Sequence, residues 1–273
     1  MDAKTIILSG LLAARSVGAG EPVALSGCEC APYMTCLARV SLAHEKPRYN
    51  YAVHYGVTSI VAMAAGWSAE RAGELAYWAV YPDLTWTYSA ITGIALNTDL
   101  GYSIQRYGHS LPGGSACPVR KQLAYWLTEN REAPVWQSGL SIHALGDSFA
   151  HAKDDGTECG TLYRWPLGHL WAGHAPDAIA NDPVKFGEFA DLLYSVLEQA
   201  QDTRPSVMRD LKDFVRSCPI PRDPDDETCA LSCFGTNEHL PAPEIPTDAP
   251  QLSRSEVADW ISMLKQEENT WTH

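Results

Sequence analysis

The stretch SIHALGDSFAHAKDD, residues 141–155, constrains the fold more than any other part of the chain. His143, Asp147 and His151 recur in it at intervals of four residues. At about 100° per residue of α-helix they fall within an arc of about 80°, so all three side chains project from one face. Their neighbours Leu145, Gly146, Phe149 and Ala150 suit an interior better than a solvated surface. On a solvated face the same spacing would need only i,i+4 hydrogen bonds. In an interior the ionisable groups need partners, and imidazole nitrogen and carboxylate oxygen are ligands that zinc takes in hydrolytic sites.

The rest of the chain also reads as helical. Tyr51 to Met63 is an apolar run with scattered small residues, Gly66 interrupts it, and Ser68 is placed to cap a second helix that stops at Pro82. Residues 118–129 and 137–152 form two more helices, separated by REAPVW. Asp182-Pro183 is an N-cap followed by a first-turn proline, and Phe189, Leu192, Leu193, Val196 and Leu197 lie on one stripe behind it. SRSE, Ser253 to Glu256, is a capping box before an amphipathic helix carrying Val257, Trp260, Ile261 and Leu264. No alternating strand pattern exceeds a few residues. The expected fold is all-α: a multi-helix bundle, with residues 1–216 as one metal-binding domain and 217–273 as a Pro/Cys-rich extension whose terminal helix packs on the same domain.

Composition narrows the function. The formal charge is −13 and no basic run exceeds two residues, which argues against a stable nucleic acid complex. Eight cysteines fall mostly into two groups, Cys28, Cys30 and Cys36, then Cys218, Cys229 and Cys233, with Cys117 and Cys159 between. None shows CxxC spacing, and the Pro- and Gly-rich surroundings fit stapled loops, within residues 1–50 among others. The amino terminus, MDAKTIILSGLLAARSVGAG, carries a weak signal-peptide pattern. Together these point to a secreted or extracytoplasmic protein, and no run is apolar and long enough for a spanning helix.

Further histidines and aspartates extend the opening motif. His54 sits inside the apolar NYAVHYGVTS, Asp83 ends the next helix in VYPD, and His109 lies in the loop RYGHSLPGG. His169, His174 and Asp177 follow in GHLWAGHAPD. Together with His143, Asp147 and His151 they offer about nine ligands, more than one zinc ion can use, which suggests two or three.

HYGVTSIVAMAAGWSAERAGELAYWAVYPD, GHSLPG, HALGDSFAH, and GHLWAGHAPD with the DPVKF helix resemble the zinc-dependent phospholipase C and single-strand-specific zinc nuclease superfamily, closest to its uncharacterised bacterial branch. The resemblance covers about residues 50–200. It implies an all-α bundle around a zinc cluster that hydrolyses phosphodiesters. By position, His109 and His143 would bind one ion, with Asp147 bridging to another; His151 and His169, with His174 or Asp177, would hold a second, and His54 a third. Asp83 would ligate or orient the attacking water, so Asp83 and Asp147 are the implied catalytic residues.

The chain departs from the family pattern at three places. The family's amino-terminal Trp ligand has no counterpart before Trp67, His151 follows Asp147 by four residues where six are usual, and Gly173 stands where an acidic ligand would follow His169. Trp86, Tyr88, Trp165 and Trp171 are candidates to line a substrate pocket, with core packing the plainer role. The expected activity is phospholipase C-like, with a phospholipid or another phosphodiester as substrate and contact with a membrane surface. The alternatives are a single-strand nuclease of the same fold, or a non-enzymatic, cysteine-stapled interaction protein with a structural metal. HExxH is absent, which argues against the common zinc protease type.

Overall fold

The computed structural model describes residues 34–36, 50–85, 87–88, 98–164, 182–217, 235–237 and 251–271. Over these the fold is helical. A π-helical turn π1 (Asn50–Val57) runs into α1 (Thr58–Ala64), followed by α2 (Ala69–Leu84), α3 (Asp99–Ser103) and a second π-helical turn π2 (Ile104–Gly108). Then come α4 (Ala116–Glu129), α5 (Val135–Ala150), α6 (Pro183–Leu197), α7 (Pro205–Ser217) and α8 (Arg254–Trp271).

The opening motif lies on the central helix. Every residue of α5 from Ser138 through Ala150 is buried, and the helix packs most extensively on α2, with α4, α6, π1 and π2 also against it. Gly139 makes the α2 crossing close: a Cβ there would lie 2.2 Å from Trp78 Cβ and 2.8 Å from the Trp78 carbonyl carbon. The absence of a side chain thus lets the two backbones meet one turn before His143. Phe186, Phe189, Leu193 and Val196 of α6 and Val257, Trp260, Ile261 and Leu264 of α8 belong to the same apolar core.

Local signals act as expected at several ends. Ser68 Oγ accepts from Arg71 N (3.3 Å), and Asp182 Oδ1 accepts from Lys185 N (3.0 Å) ahead of Pro183. Ser253 and Glu256 form the reciprocal box, with Ser253 N donating to Glu256 Oε2 (2.7 Å) and Glu256 N to Ser253 Oγ (3.3 Å). Gly66 ends α1 at φ +99°, and a Cβ there would meet the Gln201 carbonyl oxygen at 2.5 Å.

Other boundaries differ. Helix α2 does not stop at Pro82 but carries Asp83 and Leu84, because proline forfeits only its own N–H and Thr85 N still closes onto Tyr81 O at 3.0 Å. The helix drawn over 118–129 begins two residues earlier, behind Ser115, and that drawn over 137–152 begins directly after Pro134 and ends before His151. The run from Tyr51 is not one regular helix, since π1 precedes α1. Helices α3 and α7 and a small antiparallel sheet, in the order β2 (Pro112–Ser115), β4 (Thr161–Arg164), β3 (Ala152–Lys153), had no recognised sequence signal. Two strands far apart in the chain, β1 (Met34–Cys36) and β5 (Gly235–Asn237), also pair antiparallel.

Cys117 and Cys159, the two cysteines outside the clusters, form a disulfide that ties the start of α4 to the loop before β4. Cys28, Cys30, Cys218, Cys229 and Cys233, the amino-terminal signal-like segment and most of the Pro-rich stretch lie outside the described residues. Among the described residues no helix is long and apolar enough to cross a membrane.

Candidate metal centre

Four elements converge beside the middle of α5. His143 and Asp147 come from α5 itself, His54 from π1, Asp83 from the last turn of α2, and His109 from the residue that ends π2. The histidines are 0–1% exposed and Asp147 is 5% exposed, whereas the Asp83 side chain is 22% exposed, the most open of the five. His54 can lie against α5 only because Gly146 has no Cβ, which would stand 3.0 Å from His54 Cε1.

The aspartate is the hub. Asp147 Oδ1 lies 3.1 Å from His54 Nε2, and Oδ2 lies 3.2 Å from His109 Nδ1 and 3.3 Å from His143 Nε2. His143 Nε2 and His109 Nδ1 are 3.1 Å apart, and Asp83 Oδ1 is 3.9 Å from His143 Nε2. The His54 ring stacks on that of His143, centroids 4.0 Å apart.

Backbone carbonyls assign the tautomers. His143 Nδ1 donates to Ala79 O (2.7 Å), one helical turn before Asp83, and His109 Nε2 donates to Tyr88 O (2.8 Å). Each ring therefore turns its other nitrogen, His143 Nε2 and His109 Nδ1, toward Asp147 Oδ2. If both rings are neutral, these atoms present lone pairs to one another and to a carboxylate, an arrangement that holds only around a cation.

With protons as the only cations, that cation is a proton on His143. Burial opposes its charge, but Asp147 and Asp83 nearby and the hydrogen bonds to Asp147 and Ala79 prevail, raising its pKa from 6.5 to about 9. Burial likewise opposes the charge of Asp147, but the fields of His143 and His151 and the hydrogen bonds from His109 and His143 overcome it, holding the carboxyl well below the usual range. For His54 burial wins, reinforced by His143, and its pKa is lowered. Its contact with Asp147 is then a hydrogen bond from a neutral ring to the carboxylate, not an ion pair.

A metal ion also fits. Ligand atoms of a tetrahedral zinc with bonds of about 2.1 Å stand about 3.4 Å apart, and the three separations here are 3.1, 3.2 and 3.3 Å. Ring nitrogens held by carbonyl partners are the usual outer arrangement of metal-binding histidines. Two groups, His54 with the half-buried Asp83 and His143, and the fully buried His109, His143 and Asp147, could hold a metal ion.

Compared with protein-family models, curated proteins and solved structures, the chain matches none.

The structure thus assembles five of the nine residues singled out in the sequence. His151 stands apart from both groups. His151 caps α5, its N–H still donating to Asp147 O (2.8 Å), but its Nδ1 is taken by His109 O (3.0 Å) and lies 3.9 Å from Asp147 Oδ2. His169, His174 and Asp177 lie outside the described residues, as do Trp86, Trp165 and Trp171. Tyr88 is buried in the core: it is 5% exposed, its hydroxyl donates to Leu252 O (2.8 Å), and its carbonyl accepts from His109 Nε2. Ser110, missed in the sequence, holds a left-handed conformation (φ 48°) next to His109 and donates its hydroxyl to Ala144 O (2.6 Å). A buried non-glycine residue in that region is a local cost borne beside His109.

Proposed function

We propose that the protein is a zinc-dependent phosphodiester hydrolase, phospholipase C-like in its chemistry. The observation that supports this best is the convergence of two carbonyl-pinned imidazole nitrogens, from His109 and His143, on the Asp147 carboxylate. The opening HALGDSFAH pattern and the order of His54, Asp83 and His109 before it supply the superfamily resemblance that selects phosphodiesters as the substrate class.

In this reading His109 Nδ1, His143 Nε2 and Asp147 hold an ion, and Asp147 Oδ1 faces His54 on its other side. Zinc bound there would polarise a phosphoryl oxygen and bring the pKa of a water toward neutrality. Asp83, the most open of the five, would accept a proton at its carboxylate and orient the attacking water. Ala79 O and Tyr88 O would keep both rings in the tautomer that binds, so no proton has to be moved off the backbone-facing nitrogens. The disulfide is compatible with work outside the cytoplasm.

Metal analysis of the purified chain, beside a panel of phosphatidylcholine, a chromogenic phosphodiester and single-stranded DNA, tests the proposal. At least one zinc per chain is expected, with hydrolysis of the phospholipid or chromogenic ester that Asp147→Asn abolishes. Stoichiometric zinc without hydrolysis of any member would leave a structural metal in an interaction protein; hydrolysis of DNA alone would select the nuclease reading.

A further inference from the structure

We infer that Tyr88 and Glu268 are positioning residues through which the C-terminal segment sets the ring of His109; the inference rests on the metal-centre reading above. His109 has no regular helix to hold it. It ends π2 with φ −112° and ψ 14°, and its ring orientation depends on the Tyr88 carbonyl at Nε2.

Both supports of that ring lead to residues after 250. The Tyr88 hydroxyl donates to Leu252 O (2.8 Å), and Leu252 N donates to the Tyr81 hydroxyl (3.0 Å), so one backbone unit is gripped between two buried tyrosines. On the other side, π2 itself is clamped by α8. Glu268 accepts from Arg106 Nη2 at Oε1 and from the Tyr107 hydroxyl at Oε2, each at 2.6 Å, and Lys265 Nζ donates to Ser103 Oγ (3.0 Å). Arg106 and Tyr107 stand just before His109, with Gly108 between. A shift of this carboxylate would therefore move the turn that carries the ligand, and a shift of Leu252 would move the carbonyl that fixes the ring's tautomer. The ionic contact is two-thirds shielded from water, with side-chain exposures of 32% and 34%, so solvent screens it only in part.

Groups hydrogen-bonded to a ligand usually change metal affinity by 10- to 100-fold when removed, and because these two residues act one contact further out, the lower end of that range is expected. The test uses the full chain with Tyr88→Phe, Glu268→Ala and Glu268→Gln, the last keeping an acceptor for Tyr107. Lys212→Ala, which removes the exposed pair with Asp191, is the control. Ring nitrogen NMR reads the His109 tautomer, and cobalt(II) absorption titration reads affinity and coordination. The wild type and Lys212→Ala should show His109 protonated at Nε2. Tyr88→Phe and Glu268→Ala should lose that uniform signature, bind cobalt about tenfold or more weakly, and change its visible spectrum, with Glu268→Gln in between. Unchanged tautomer and cobalt binding in folded Tyr88→Phe and Glu268→Gln, even with lowered melting temperatures, would overturn the inference and leave the segment a packing element. If the wild type takes up no cobalt, the metal reading fails, and the tautomer comparison alone still decides this one.

Discussion

At the scale of residues, the His143–Asp147 pair makes metal binding and proton binding competitors. His143 holds a proton up to about pH 9, so an ion taken up at pH 7 should release about one proton per site. Calorimetry in buffers of different ionisation enthalpy should show this release, and zinc binding without it would contradict the assignment of the proton to His143. The sign for stability follows from the same shift. In chelated protein, the contribution of His143 is full below 6.5, its ordinary value, and fades as pH rises through about 9. Asp147, shifted the other way, contributes above its ordinary 3.8 and loses its share as acid protonates it. Asp147→Asn should leave a buried ring without its counter-ion and destabilise chelated protein by about 3–5 kcal/mol in urea unfolding. The residue types and their spacing were legible because ionisable groups stand out in an apolar helix. Ring orientation was not, since Ala79 O and Tyr88 O are backbone atoms that any residue would supply.

At the scale of elements, the contact between α2 and α5 depends on Gly139. Gly139→Ala would force apart two backbones whose atoms already lie closer than a Cβ allows, and should cost about 1–3 kcal/mol by urea unfolding. Because Ala79 O reaches His143 across this contact, zinc affinity should fall with stability. Gly146→Ala presses on the His54 ring, 3.0 Å from where the Cβ would stand, and should alter the His54 ring signals in NMR with a smaller loss of stability. Capped helices were readable from Ser68, Asp182 and Ser253, whose side chains act within a few residues of themselves. The π-helical turns were not, because the wider turn of π1 keeps the apolar composition of an α-helix, and π2 lies in a run read as a loop. The strands β2 and β4 escaped notice for a similar reason: Gly113 and Gly114, at φ +73° and +78°, form a ladder without an alternating apolar pattern.

At the scale of the whole molecule, the Cys117–Cys159 bridge encloses all of α5 and most of α4 in a loop with a sequence separation of 42. Loop-closure entropy puts its contribution at about 4 kcal/mol. The double substitution Cys117→Ser with Cys159→Ser should lower the urea midpoint accordingly, while an unchanged midpoint would mean that the thiols are not joined in the folded protein. The helical class followed from the long apolar periodic runs. The joining of Met34–Cys36 to Gly235–Asn237 could not be read, because strand pairing over that distance leaves no periodic mark in either segment. The grip of Leu252 and Glu268 on the surroundings of His109 also bears on the order of events in synthesis. Ribosomes deliver His54, Asp83, His109, His143 and Asp147 well before Leu252 and Glu268, so a nascent chain has the five side chains before it has the contacts that steady His109. If the centre takes a metal ion as proposed, its capture in the finished arrangement would wait for α8 to dock.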